Sequence, residues 1–284
     1  MTQTVPTPLL AGVHHTARPT WKLAETVHFY RDLLGLPLVH AVSARGWGPH
    51  DHPDFLHFFF DAGRGATIAF FYYIGTERPD WLPVRNTTFD LATHTAWQVE
   101  TYDELLAWKT RAEKMGIPLH MQVRHEVIES LYFEDPNGYP IEITLQLRPF
   151  GAEDRNDATN TIEAAIEMEK ARDQGAPFKA IDDVWLRKAR RVDGATPSGA
   201  ASAFVLDVPE FRPLIDAAKA RGCYATTALP NGYTRIDGNP TLQFNRKELG
   251  FKPAVWYGVL TGGFAGRIER FDMNELVISA AEAA

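Results

Sequence analysis

A glutamate stands in the middle of a segment whose composition is otherwise that of a buried strand. Glu142 lies between two isoleucines in the stretch PIEITL. Burying an ionised carboxylate is costly unless a cation or a metal ion pairs with it. We therefore expect another part of the chain to supply a partner for Glu142.

The histidines that could provide such a partner are confined to the first half of the chain, because all ten lie at or before position 125. His15 and His94 each belong to a short predicted strand that comes directly before a predicted helix. Two neutral imidazoles and one carboxylate are a well-known ligand set for a divalent metal. His15, His94 and Glu142 are therefore predicted to hold a metal ion, with other coordination positions free for substrate and oxygen.

The elements that must position these residues occur twice in the same order. Residues 8–76 are predicted to form a strand, the helix KLAETVHFYRDLLG and three more strands. Residues 88–148 repeat this order around the helix YDELLAWKTRAEKMG, and a glycine follows the apolar face of each helix, Gly35 and Gly116. Two βαβββ units predict an α+β domain at 8–148, with a cleft shared between its two sheets.

The remainder of the chain has a different character. Residues 149–194 are predicted to form a helical linker with a polar beginning. Residues 195–284 are predicted to form a β-rich C-terminal α/β extension, which could be a degenerate third module, and the segment AVWYGVLTGG is predicted as one of its strands. Because this region contains no histidine, a structural or interface role is expected for it.

The composition narrows the classes of function. The 284 residues carry a net charge of −7, so no broad attraction to nucleic acid or to an anionic membrane is expected. A single cysteine, Cys223, excludes a disulfide within the chain and favours a reducing, cytoplasmic location. No apolar run approaches the roughly 20 residues of a membrane-spanning helix, and no secretory signal is predicted at the N-terminus.

Three stretches resemble a known family: HHTARPTWKLAETVHFYRDLLGL, ATHTAWQVETYDELLAWKTRAEKMGI and SLYFEDPNGYPIEI. They resemble the vicinal oxygen chelate superfamily, which includes glyoxalases, bleomycin- and fosfomycin-resistance proteins, epimerases and extradiol ring-cleaving dioxygenases. The resemblance covers about residues 10–148 and implies paired βαβββ modules around a metal. In aligned members the ligand histidine stands about fourteen residues before the FY pair, which implies His15 rather than His14 as the ligand.

Within this superfamily, the chain is most similar to type I extradiol dioxygenases. Glyoxalase-like members take a fourth ligand from the last strand of the first module, but that strand here, ATIAFFYYI, has no histidine, aspartate or glutamate. The similarity implies Fe(II) as the metal and a catalytic role for Tyr132, ten residues before Glu142. It also implies acid–base roles for His57 and His125, although His125 stands slightly off the dioxygenase spacing.

Together these features predict an Fe(II)-dependent dioxygenase that cleaves a catechol-like aromatic substrate with O2 in aromatic compound catabolism. The aromatic residues at 58–60 and 70–73 could line a pocket for the ring or form plain core, one on each sheet face. A metal-dependent isomerase, lyase or transferase with Mn(II), Zn(II) or Ni(II), and a metal-free small-molecule-binding protein, remain as alternatives. A homo-oligomer that binds neither nucleic acid nor membrane is expected.

Overall fold

The computed structural model describes residues 13–44, 53–80, 82, 92–176, 180–194 and 200–281. The predicted beginnings of the two modules, residues 8 and 88, and of the C-terminal unit, residue 195, lie outside the described residues. Contacts divide the chain into two compact units, 1–122 with 130–145 and 123–129 with 146–284. In the described part of the chain, no helix is long and apolar enough to cross a membrane.

The first module has the predicted order of one strand, one helix and three strands. Its sheet has the strand order β1-β4-β3-β2, with β1 parallel to β4. The elements are β1 (His15–Thr20), α1 (Leu23–Val27) continued by a π-helical segment (His28–Leu33), β2 (Leu38–Ala44), β3 (Phe55–Asp61) and β4 (Thr67–Tyr73).

The second module repeats this topology, as predicted. Its sheet has the strand order β5-β8-β7-β6, again with the first strand parallel to the last. The elements are β5 (Thr95–Val99), α2 (Tyr102–Lys114), β6 (Met121–Arg124), β7 (Ile128–Glu134) and β8 (Pro140–Gln146).

Helix α2 begins at a capping box and ends before a glycine. The Thr101 side chain accepts a hydrogen bond from the Glu104 backbone N–H, and the Glu104 carboxylate accepts one from the Thr101 N–H. Each bond satisfies a backbone donor that has no partner inside the helix. Gly116 adopts a left-handed φ of 68°, which costs little without a side chain, and the buried Leu105 and Ala112 face the sheet.

The aromatic strip of the first module divides between the two faces of its sheet. Phe58, Phe60 and Phe70 are buried on the side covered by the helix, where the Tyr30 ring lies 5.4 Å from Phe60 and 4.9 Å from Phe70 between centroids. The alternate residue Phe71 is half-buried on the opposite face. The core interpretation is therefore confirmed for one face, and the pocket interpretation stays a prediction for the other.

A buried hydrogen-bond network joins the two modules. The Tyr30 hydroxyl donates to Asp135 at 3.0 Å, and the Thr20 hydroxyl donates to Asn137 at 2.7 Å. Burial raises the pKa of the Tyr30 hydroxyl well above its usual value, so it remains a donor. The network holds the turn DPNG of the second module against the helix and first strand of the first module.

The C-terminal region contains two long helices followed by a mixed set of strands and short helices. The helices of the predicted linker belong to the second compact unit, where Lys188 is buried and donates to Asp157 at 2.6 Å. The elements are α3 (Ala152–Asp173), α4 (Ile181–Asp193), β9 (Ala201–Leu206), α5 (Arg212–Arg221), β10 (Ala225–Ala228), β11 (Tyr233–Gly238), β12 (Thr241–Asn245), α6 (Pro253–Trp256), β13 (Gly263–Ala265), β14 (Arg267–Phe271) and β15 (Glu275–Ser279).

The interpretation of residues 195–284 as a third module is wrong in topology. The order from β9 to β12 is βαβββ, but β11 pairs antiparallel with β9 and β12 belongs to another sheet, β12-β15-β14. The predicted strand AVWYGVLTGG is also wrong, because Pro253 occupies the first turn of helix α6 there. Trp256 and Leu260 of this stretch are fully buried, so its apolar run reflects burial and not extended backbone.

Candidate metal centre

The pairing of β5 with β8 places a histidine beside Glu142. Ala96 lies directly opposite Glu142, and His94 stands two residues before Ala96, so the side chains of all three point to one face of the sheet. His94 Nε2 lies 2.8 Å from Glu142 Oε2. The residue Glu142 is only 3% exposed, so its carboxylate is buried and has the partner that its position in the sequence demands.

The other oxygen of this carboxylate faces a tyrosine. The Tyr132 hydroxyl donates to Glu142 Oε1 at 3.0 Å, and the Tyr132 and His94 rings meet edge to face, with centroids 6.2 Å apart. Burial, together with the negative charge of Glu142, raises the pKa of Tyr132 to about 12. Tyr132 therefore remains protonated at neutral pH and acts as a donor.

His15 lies among a different set of side chains. Its Nδ1 is 2.8 Å from His14 Nδ1, and its ring centroid lies 6.2 Å from that of His57 and 5.7 Å from that of Phe59. The residue directly opposite His15 on β4 is Thr67, which has no imidazole or carboxylate. His15 is exposed, and its neighbours are residues of its own module.

The described residues contain no group of three or more histidine, cysteine, aspartate or glutamate side chains arranged to hold a metal. The expected arrangement of His15, His94 and Glu142 as one three-ligand group is thus not present among them. The His15 side chain contacts His14, His57 and Phe59, whereas Glu142 contacts His94.

The pair of His94 and Glu142 does fit two adjacent positions around one metal ion. Two ligands about 2.1 Å from a metal and at right angles to each other are about 3 Å apart, close to the 2.8 Å between His94 Nε2 and Glu142 Oε2. An imidazole with a carboxylate suits iron, manganese, zinc or nickel. Two of the three predicted ligands, His94 and Glu142, are therefore placed as a metal ion would need them.

The position of the missing fourth ligand is visible in the strand register. In the first module Ala17, two residues after His15, lies opposite Ala69, as Ala96 lies opposite Glu142 in the second. Ala69 therefore occupies the place that Glu142 has in its own module. The strand register thus puts an alanine, and no carboxylate, at this position.

His57 is held in one orientation by its neighbours. Its ring is stacked on Phe71 with centroids 3.7 Å apart and an interplanar angle of 7°, and its Nδ1–H donates to the Phe70 carbonyl at 3.1 Å. Burial lowers the pKa of the imidazole, and the nearby His15 lowers it further. His57 is therefore neutral at pH 7, with the Nε2 lone pair able to accept a proton.

His125 lies in the turn between β6 and β7, and its backbone N–H donates to the Ile128 carbonyl at 2.9 Å. The side chain is half-buried, and the residue belongs to the second compact unit. Its acid–base role stays a prediction.

A cavity of about 530 Å³ on the first module was not predicted as a whole. The sequence indicated only its sheet wall, through the aromatic strip that contains Phe71 and Tyr73. Its second wall comes from the segment after β1 and the loop after β4, where no periodic pattern marks the contributing residues. The lining residues are Ala17, Arg18, Pro19, Trp21, Pro53, Phe71, Tyr73, Thr76, Glu77, Pro79 and Leu82.

Residues 12–143 match the family model of the Glyoxalase/Bleomycin resistance protein/Dioxygenase superfamily. This part of the chain belongs to that superfamily. The match spans both modules and the residues His15, His94, Tyr132 and Glu142. The paired βαβββ topology lies within this matched region. Members of the superfamily include both metal-dependent enzymes and binding proteins.

Several solved structures match about half of the chain. A lactoylglutathione lyase from Agrobacterium tumefaciens is 22% identical, with 49% of this chain and 96% of that chain covered and a TM-score of 0.35. A glyoxalase/dioxygenase from Nostoc punctiforme is 21% identical, with 51% and 99% covered and a TM-score of 0.36. An antibiotic-binding protein from Streptomyces is 15% identical, with 49% and 99% covered and a TM-score of 0.34. No curated protein sequence matches the chain significantly.

Proposed function

We propose that this protein is an Fe(II)-dependent, extradiol-type dioxygenase that cleaves a catechol-like aromatic ring. The observation that carries the proposal is the buried Glu142 carboxylate, whose two oxygens face the His94 imidazole and the Tyr132 hydroxyl. A buried carboxylate flanked by an imidazole and a protonated phenol combines two metal donors with a hydrogen-bond donor, which suits metal-assisted oxygen chemistry.

In this proposal His94 and Glu142 hold the iron, and His15 is the third ligand, which would leave its contact with His14 to join them. Bound Fe(II) supplies positions at which two vicinal oxygens of a catechol and O2 can meet, and it lowers the pKa of the catechol hydroxyls. With a metal bound, the His94 imidazole and the Glu142 carboxylate would both face the ion.

The chain's own groups supply the proton transfers. Tyr132 is protonated at neutral pH and can donate a hydrogen bond to a substrate oxygen when Glu142 is engaged elsewhere. His57 is neutral and fixed by Phe70, so its Nε2 can accept the proton of a substrate hydroxyl. His125 is the other candidate for this acid–base role.

The test is oxygen uptake by protein purified without air and loaded with Fe(II), measured on a panel of substituted catechols. Ring cleavage is expected to consume one O2 per catechol and to produce a coloured ring-opened product. Glu142→Gln should abolish uptake. Glu134→Gln is a matched control, because Glu134 also lies beside a histidine in the same module, 3.5 Å from His120, and it should retain uptake.

A binding protein without catalysis is the second candidate. Two observations favour it: the cavity of about 530 Å³ is lined largely by apolar residues, and the described residues bring two donors together and not three. Iron-loaded protein that consumes no O2 with any catechol, yet binds aromatic compounds equally well with and without metal, would support it. Isomerisation or conjugation of a small electrophile with nickel, zinc or manganese would instead indicate a glyoxalase-type enzyme.

A further inference from the structure

We infer that the cavity of about 530 Å³ on the first module, on the sheet face opposite its helix, binds a flat, uncharged ring. The substrate would carry this ring in addition to the ring that reacts. The inference rests on the proposed function for the identity of the reacting ring. The cavity and its lining residues are independent of that function.

The cavity begins next to the candidate metal ligand of the first module. Ala17 and Pro19 stand two and four residues after His15, so all three point to the same face of the sheet. Phe71 lies opposite His57 across the β3–β4 pair and faces the same side. A group in the cavity would therefore extend along β1 away from His15.

One wall of the cavity contains Phe71 and Tyr73, which belong to a ladder of nearly parallel rings that begins at His57. The His57 and Phe71 rings are stacked 3.7 Å apart at 7°, and Tyr73 continues the ladder 5.7 Å from Phe71 at 8°. Aligned aromatic faces form a flat apolar surface, which favours a planar ligand in offset-stacked or edge-on contact.

The opposite wall is held in place by hydrogen bonds that leave its apolar surface facing inward. The Trp21 indole N–H donates to the Thr76 hydroxyl at 3.0 Å, which in turn donates to the Tyr73 carbonyl at 3.0 Å. The backbone N–H of Leu82 donates to the Pro79 carbonyl at 3.0 Å. A wall ordered before binding spares the ligand the entropy cost of ordering it.

The size and charge of the cavity set the class of ligand. Its volume of about 530 Å³ is several times that of a cavity of about 150 Å³ that holds benzene, so one ring would leave most of it empty. Its two charged lining residues, Arg18 and Glu77, are of opposite sign. The Arg18 guanidinium already donates to Thr95 and lies over the Tyr139 ring. A neutral ring suits this lining better than a carboxylated one.

The test measures binding without metal or turnover, by calorimetric titration of the chelator-treated full-length protein with phenol and with 4-phenylphenol. Neither compound is a vicinal diol, so their binding does not depend on iron. The second ring of 4-phenylphenol is expected to increase affinity by about tenfold or more, as burial of one apolar ring predicts.

Two variants show whether the gain comes from this cavity. Phe71→Ala removes part of the ring ladder, and Ala17→Phe fills the space from an exposed position; each should reduce the preference for 4-phenylphenol to about threefold or less. Tyr102→Leu, on the exposed face of α2, should keep it. An unchanged preference in both cavity variants, or equal affinity for the two compounds, would overturn the inference.

The outcome is separable from that of the proposed function. A cavity-dependent preference in a protein that consumes no O2 would retain the binding site and reject the dioxygenase. Oxygen uptake on catechol without any such preference would retain the dioxygenase and reject the second-ring site.

Discussion

The two modules of the first unit have the same topology but different side chains at corresponding positions. In the second module, the Glu142 carboxylate on the last strand accepts a hydrogen bond from Tyr132 on the neighbouring strand and lies 2.8 Å from His94, just before the first strand. In the first module, the strand register puts Ala69 in the place of the glutamate, with Phe59 directly opposite it. Of the three polar side chains, only the histidine has a counterpart in the first module, where His15 corresponds to His94.

This difference indicates that the second module carries the polar chemistry and the first carries the apolar surface. A buried carboxylate is stable only with partners, and the second module supplies two of them. The first module has aromatic rings in this region: Phe71 stacks on His57 and lines the cavity beside Trp21, and Phe59 meets His57 edge to face. One fold thus presents a candidate metal pair on one sheet and a candidate ring-binding surface on the other.

The largest effect is expected on iron affinity, when the second module loses the carboxylate that distinguishes it from the first. Glu142→Gln keeps the shape of the side chain but removes the anionic donor, so iron affinity should fall by more than about 100-fold. Metal analysis after air-free purification and dialysis measures this. Full iron occupancy in the variant would exclude Glu142 as a ligand, and Glu134→Gln controls for a general loss of carboxylate charge.

A smaller effect, on turnover and not on iron binding, is expected when the Tyr132 hydroxyl of the second module is removed. Tyr132→Phe deletes one hydroxyl and leaves the ring, so iron should remain bound while turnover of a catechol falls by roughly 100-fold. Steady-state oxygen uptake together with metal content separates the two effects. Unchanged turnover would mean that the Tyr132 hydroxyl only satisfies the buried Glu142 carboxylate.

The reverse exchange tests the first module. Ala69 is 1% exposed and has Phe59 directly opposite it, so Ala69→Glu should force a carboxylate into a space that holds a methyl group and destabilise the protein by about 2 kcal/mol or more, even with His15 on the same face. Chemical denaturation measures the loss, and Ala69→Val controls for added volume alone. Full stability of the glutamate variant would show that the first module can still accommodate the polar group.

The smallest effect concerns the pH dependence of stability. Burial lowers the pKa of His57 in the folded protein below its ordinary value of about 6.5, so protonation favours the unfolded chain. Stability associated with neutral His57 is full above pH 6.5 and is lost as the pH falls below it. His57→Phe, which keeps the stack on Phe71, should flatten the decline in stability between pH 7 and 5. An equally steep decline in the variant would assign it to other groups.

The element order of the first unit could be predicted from the sequence because each element leaves a local signal. The helix around Leu105 has apolar residues at helical spacing, a capping box and a terminal glycine, Gly116. The strand that contains Glu142 has buried isoleucines on either side. The family resemblance then narrowed the fold to the superfamily that residues 12–143 match.

The C-terminal strands were predicted less well because their pairing is non-local. The strand Glu275–Ser279 pairs with the strand directly before it, Arg267–Phe271, and also with the distant strand Thr241–Asn245, and nothing in its own residues sets its place between them. The run AVWYGVLTGG is apolar because Trp256 and its neighbours are buried, and burial alone does not distinguish a helix from a strand.

The sequence by itself determined that Glu142 must have a partner, since the cost of burying a carboxylate follows from its chemistry and from the isoleucines beside it. It also determined that the last strand of the first module has no ligand to offer. Only the tertiary structure decided which partners Glu142 has. The parallel pairing of β5 with β8 brings His94 to it, whereas β1 pairs with β4 and leaves His15 among His14, His57 and Phe59. Strand register sets which side chains meet, and register depends on the pairing of distant segments.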